Sequence, residues 1–217
     1  MSDVRDLSFE LIDLLCRVKD ISMTDEHKEL GECCAILTAF VREIRGQSAA
    51  VKAYGKVFGA HGSTNIFLHT AYEALWRELL IELAKLFDPS KRKSNKNWSL
   101  FRLQEICKKI PMDDNYDQLF PNGENLLFAC AIDSIYEEYI DLPIKKARNK
   151  QLSHHDVEQL SKKEIIKVPF GEVEKLVLKV SSLIEIIYTH ISFAEVSFAD
   201  YDESVSEYER SLRQLVT

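Results

Sequence analysis

From Thr64 to Asp88 the chain runs without a glycine or a proline, and its apolar residues recur at helical intervals. Phe67, Ala71, Ala74, Leu75, Leu79, Leu83 and Leu86 stand three or four apart, apart from the adjacent Ala74 and Leu75, so they share one face of a 3.6-residue period. Thr64 or Ser63 can cap this helix, and Asp88-Pro89 ends it, because proline disfavours the helical conformation of the residue before it. Val173, Leu176, Val177, Val180, Ile184, Ile187 and Ile191 repeat the pattern late in the chain, after the break Val168-Pro169-Phe170-Gly171. A strand-rich fold needs a turn about every ten residues. Seven glycines and five prolines in 217 residues, gathered in a few places, do not supply them.

The remaining segments follow the same rule. Leu7, Leu11, Leu14, Leu15 and Val18 mark a helix over 4–19. Thr24-Asp25-Glu26 offers an N-cap and an acidic first turn to a second helix with the stripe Leu30, Leu37, Phe40, Val41 and Ile44, extending to Val51 unless Gly46 breaks or kinks it. Ser99 caps a short helix to Ile110, with Trp98 and Leu103 placed as a hydrophobic staple. Leu127, Cys130, Ala131, Ile135 and Tyr139 set another, after which Pro143 either kinks it or opens a new helix capped by Asp141. Tyr201, Val205, Tyr208, Leu212 and Leu215 form a terminal helix whose thin apolar face suits a partner or a neighbouring element. The expected architecture is all-α, an up-and-down helical bundle in one domain over 1–217, with a core over about 64–192 and peripheral helices in 1–63 and 198–217.

Composition narrows the function. No run of eighteen apolar residues is present, and the acidic N-terminus does not read as a signal peptide, so no membrane partner is expected. Cys16, Cys33, Cys34, Cys107 and Cys130 are scattered without metal-ligand spacing and suit reduced thiols in a cytoplasmic protein. A formal charge of −7 excludes bulk attraction to nucleic acid, so any polyanion has to meet a local basic patch.

One such patch exists. Lys145, Lys146, Arg148 and Lys150 put four positive charges into six residues, and His154 and His155 come directly after. In a continuous helix Arg148 and His155 share a face, whereas Arg148 and His154 stand about 120° apart. If the helix ends near Leu152 or Ser153, His154 can fold back beside the guanidinium. An arginine beside a histidine suits metal-independent RNA cleavage, with no cofactor. The imidazole takes the proton of a ribose 2′-hydroxyl or protonates the leaving oxygen. The guanidinium fork holds the phosphate and stabilises its added charge. Asn149 can orient either group. The plainer reading of the same residues is a basic helix end, favoured by the helix dipole, with Ser153 or Asp156 capping the next element of the chain.

The stretch Arg148-Asn149-Lys150-Gln151-Leu152-Ser153-His154-His155-Asp156 resembles the arginine, polar residue, spacer, histidine motif of the HEPN superfamily, closest to its abortive-infection branch. Ala71-Tyr72-Glu73-Ala74-Leu75-Trp76 through Leu86-Phe87-Asp88, and Asn97-Trp98-Ser99-Leu100, are similar to that branch too, so the likeness spans about 64–190. It implies a helical endoribonuclease of a phage-defence or toxin–antitoxin system, with Arg148, Asn149 and His154 as catalytic residues. Lys145, Lys146, Lys150 and His155 would then bind RNA. The resemblance further implies a homodimer that pairs two motifs in one cleft, and a possible antitoxin protein. Some HEPN toxins carry a modified tyrosine two residues past the histidine, a position that is Asp156 here.

Two rival readings use the same residues differently. One is a non-catalytic HEPN-like module that docks RNA or protein through the basic segment. The other is a helical scaffold whose terminal helix engages a partner. His69 and Glu73, four apart, have a metal-compatible spacing but lack further ligands at fixed spacing, so a surface hydrogen bond or ion pair is expected. The basic loop Lys91 to Lys96 reads as solvated, with phosphate contacts open to it.

Overall fold

The computed structural model describes residues 25–59, 64–88, 98–110, 124–148, 167–192, 198 and 200–216. Among them are seven α-helices and no strand, so the protein is all-α. They are α1 (Asp25–Phe58), α2 (Ile66–Leu86), α3 (Leu100–Lys109), α4 (Glu124–Asp141), α5 (Ile144–Ala147), α6 (Phe170–Ser192) and α7 (Tyr201–Val216). The helix expected over 4–19 and the basic loop Lys91 to Lys96 lie outside the described residues.

Several helix boundaries follow from local chemistry. Ser99 is the N-cap of α3, and its hydroxyl accepts from the Arg102 backbone N–H. Asn65, not Ser63 or Thr64, caps α2: its side-chain oxygen accepts from the N–H groups of Phe67 and Leu68 at 3.0 and 3.3 Å. Asp200 does the same for Asp202 and Glu203 at the start of α7. Gly59, at φ +64°, ends α1 in the left-handed conformation that a side chain disfavours.

The described residues fall into two compact units, one from Met1–Val41, Leu86–Glu138 and Lys179–Ser197, the other from Arg42–Lys85, Tyr139–Leu178 and Phe198–Thr217. Helices α1, α2, α4 and α6 contribute residues to both, α2 through Leu86 alone. The first unit buries Leu30, Cys33, Cys34 and Leu37 of α1, Leu103 and Ile106 of α3, and Ile132 and Ile135 of α4. Burying a side chain of this size stabilises by about 1.5–3 kcal/mol. Gln104, itself buried, donates from Nε2 to the carbonyl of Ala129 at 2.9 Å, tying α3 to α4 and satisfying a polar group that would be costly alone. Desolvation raises the thiol pKa of Cys33 and Cys34 and pushes Cys107 up to about 12, so these cysteines behave as apolar core residues.

The second unit is built on α1 running unbroken through Gly46. A Cβ there would meet the Tyr208 hydroxyl at 3.9 Å, so the glycine lies where α7 approaches α1. Ala49 and Ala53 continue this narrow face and bury Tyr201 and Val205 of α7 against it. The thin face of the terminal helix thus meets a neighbouring helix of its own chain. Polar clasps surround the contact. Ser48 and Tyr201 share a hydrogen bond at 2.9 Å, and Lys52 pairs with Glu174 at 2.8 Å and Asp202 at 3.3 Å. Lys56 pairs with Glu209 at 2.7 Å. Burial, reinforced by Glu174 and opposed by Ser48 and Lys52, pushes the Tyr201 hydroxyl up to about 12.

Two apolar faces differ from the sequence expectation. Leu79, Leu83 and Leu86 of α2 are buried, but Phe67 is 76% exposed and Ala71 and Ala74 also face solvent. In α4 the buried set is Phe128, Ala129, Ile132, Ile135 and Tyr139, while Leu127 and Cys130 are exposed. Both helices are apolar over more than half their circumference, so spacing alone leaves their rotation undecided.

Candidate functional site

The basic segment begins at the joint between α4 and α5. Helix α4 ends at Asp141, and Pro143 stands at the N-cap position of α5 with no side-chain cap. Asp141 is therefore the last residue of one helix, not the cap of the next. The Pro143 carbonyl accepts from the Ala147 N–H at 2.8 Å, which restarts helical hydrogen bonding as soon as the proline allows.

That single turn sorts the charged residues. Ile144 and Ala147 are 0% and 1% exposed and anchor α5 to the second unit. Lys145 and Lys146, about 100° and 200° around the turn from Ile144, are exposed. Arg148 has right-handed helical dihedrals, and its backbone N–H bonds to the Ile144 and Lys145 carbonyls. It stands about 40° from Ile144, hence partly over the buried line, and its side chain is half-buried. The side chains of the two lysines make no ion pair or hydrogen bond among the described residues.

Of the seven residues expected at the site, Lys145, Lys146 and Arg148 are thus brought together on one turn. Asn149, Lys150, His154 and His155 lie outside the described residues. The residues that sequence reasoning missed are those beside the lysines. Ile140, Asp141, Leu142 and Pro143 line an open surface groove with Lys145 and Lys146. Ile140, 56% exposed and just after the buried Tyr139, was the available signal: an apolar residue outside the helix's core stripe, directly before a break. His69 is exposed and Glu73 half-buried. No group of three or more His, Cys, Asp or Glu suited to a metal ion occurs among the described residues.

A family model, HEPN_AbiU2, described as AbiU2, matches residues 23–214. The chain belongs to the AbiU2 family of HEPN proteins. It is thereby an abortive-infection-related HEPN domain. The AbiU2 match starts before α1 and runs into the last turns of α7, so it takes in the helices on both sides of the basic turn. Searches of curated proteins and of solved structures return no match. No described helix of this AbiU2-family protein is long and apolar enough to cross a membrane.

Proposed function

We propose that this AbiU2-family protein is a metal-independent endoribonuclease acting in phage defence or as a toxin held by a partner protein. The observation that carries the reading is the family match together with the basic turn, where a half-buried arginine is flanked by two exposed lysines free of ion pairs among the described residues. Arg148 holds the scissile phosphate with its planar fork, whose fixed geometry matches two phosphate oxygens. His154 serves as general base or acid at the ribose 2′-hydroxyl, and Asn149 orients one of the two. Lys145, Lys146, Lys150 and His155 grip the flanking backbone. Attack by an internal hydroxyl leaves a 2′,3′-cyclic phosphate on one product and a 5′-hydroxyl on the other.

On this reading the protein works in the cytoplasm as a homodimer that joins two motifs in one cleft. The test is cleavage of cellular RNA in the presence of EDTA, with product ends read by sequencing. Wild type should cut and be toxic on expression, and Arg148→Ala and His154→Ala should do neither. Equal toxicity of all three proteins, or cleavage that EDTA abolishes, overturns the proposal. Salt-sensitive RNA binding without cleavage would leave a non-catalytic binding module in its place.

A further inference from the structure

The groove at the α4–α5 joint carries more than backbone-gripping lysines. Its volume of about 380 Å³ falls at the small end of ligand pockets. Three of its lining residues are apolar, and Ile140 is 56% exposed, so a plain hydrophobic surface faces water beside two ammonium groups. Asp141 is exposed and its carboxylate, like the lysine side chains, makes no hydrogen bond or ion pair among the described residues. The groove therefore offers an apolar floor, one acceptor-only carboxylate and two cationic donors.

An acidic side chain can meet the lysines but offers Asp141 no donor. An RNA strand uses all three features, because its phosphates need cations, its unstacked bases need an apolar surface, and its base edges carry N–H donors. Among the bases, guanine alone places two N–H donors side by side, at N1 and N2, to face the two oxygens of a carboxylate. Adenine and cytosine set one amino group beside a ring-nitrogen acceptor, and uracil sets one N–H between two carbonyls. We propose that this groove seats an unpaired guanine flanking the cleaved bond of a single-stranded RNA, read by Asp141, with Lys145 and Lys146 on the adjoining phosphates. The inference rests on the ribonuclease reading for its substrate class, and it adds the base and the residue that selects it.

The test uses the full chain and short 2′-O-methyl oligonucleotides, which bind but cannot be cut, carrying a single guanine, inosine or adenine in an otherwise uniform strand. Fluorescence anisotropy should show guanine bound about tenfold more tightly than adenine, with inosine between them, as expected for a bidentate base contact. Asp141→Asn should erase the preference, bringing the guanine and adenine strands to equal affinity. Because Asp141 is exposed, an unaltered circular dichroism melt should accompany that loss. Equal binding of the guanine and adenine strands overturns the proposal, as does a preference that survives Asp141→Asn. The two readings fail separately. Guanine preference without any cleavage would remove the nuclease and keep the groove, whereas cleavage indifferent to guanine would remove the groove and keep the nuclease.

Discussion

Arg102, on α3, reaches Glu29 on α1 and Glu105 one turn along its own helix, whereas Lys145 and Lys146, on α5, meet no acid among the described residues. The Glu29 hydrogen bond, assisted by Glu105, outweighs the desolvation of Arg102 and moves its guanidinium still further into the protonated range. Its charge is spent inside one unit on joining two helices. The α5 lysines join nothing, and their positive field stays available in a chain with a formal charge of −7. A basic residue that has acquired acidic neighbours supports the fold, and one left facing water beside an apolar groove is placed to meet a ligand.

The contrast predicts that variants at the two places fail in different assays. The largest effect belongs to Arg148→Ala and His154→Ala, which should lower RNA cleavage by about a hundred- to ten-thousandfold, the usual range for losing a general acid–base group or a charge-stabilising donor. Arg148→Lys should recover only part of the rate, because a point charge cannot replace the fork. A lysine variant as fast as wild type would remove the arginine from the chemistry.

Next comes Arg102→Ala. It breaks hydrogen bonds to two carboxylates and should cost about 1.5–3 kcal/mol in urea unfolding while cleavage per folded molecule is kept. Unchanged stability would show that Arg102 only decorates the first unit. Lys145→Ala/Lys146→Ala should do the reverse. Stability should stay within about 0.5 kcal/mol, and the logarithmic salt slope for single-stranded RNA binding should fall by about 1.4, two phosphate contacts' worth. A slope that does not change would mean that no phosphate lies there.

The smallest effect tests a like-charge pair on α2. A hydrogen bond to Glu82, with desolvation and the Glu82 charge behind it, raises the pKa of Glu78 in the folded protein, against the pull of Lys85. The folded state therefore holds the Glu78 proton more tightly than the unfolded chain does. The stabilising contribution is complete below the ordinary carboxylate pKa and disappears as pH rises through the raised value. Glu78→Gln should flatten this part of the stability–pH curve, measured by thermal melts from pH 4 to 7. An unaltered curve would assign the slope to other groups.

Much of this was written in the chain itself. Ser99 specifies the start of α3 by what its hydroxyl accepts, and Pro143 marks a break by the N–H it lacks, although the sequence left open whether that break kinks a helix or begins a new one. The buried run Val173, Leu176, Val177, Val180, Ile184 and Ile187 was equally legible, because α6 has a polar face that leaves one rotation available. That Lys145, Lys146 and Arg148 share one turn also comes from sequence, although Lys146 and Arg148 stand about 160° apart around it.

Tertiary structure decided what local rules leave open. Gly46 was a possible break, and the helix continues through it because packing with α7 outweighs a glycine's cost of about 1 kcal/mol. Phe67 and Leu127 satisfied a period and still face solvent, since a helix apolar on most sides takes its rotation from whatever packs against it. In the same way, only the burial of Ile144 and Ala147 determined that Arg148 would be half-covered while its two lysine neighbours stand in water. Spacing sets the angles between side chains, but which angle points inward depends on contacts made far along the chain.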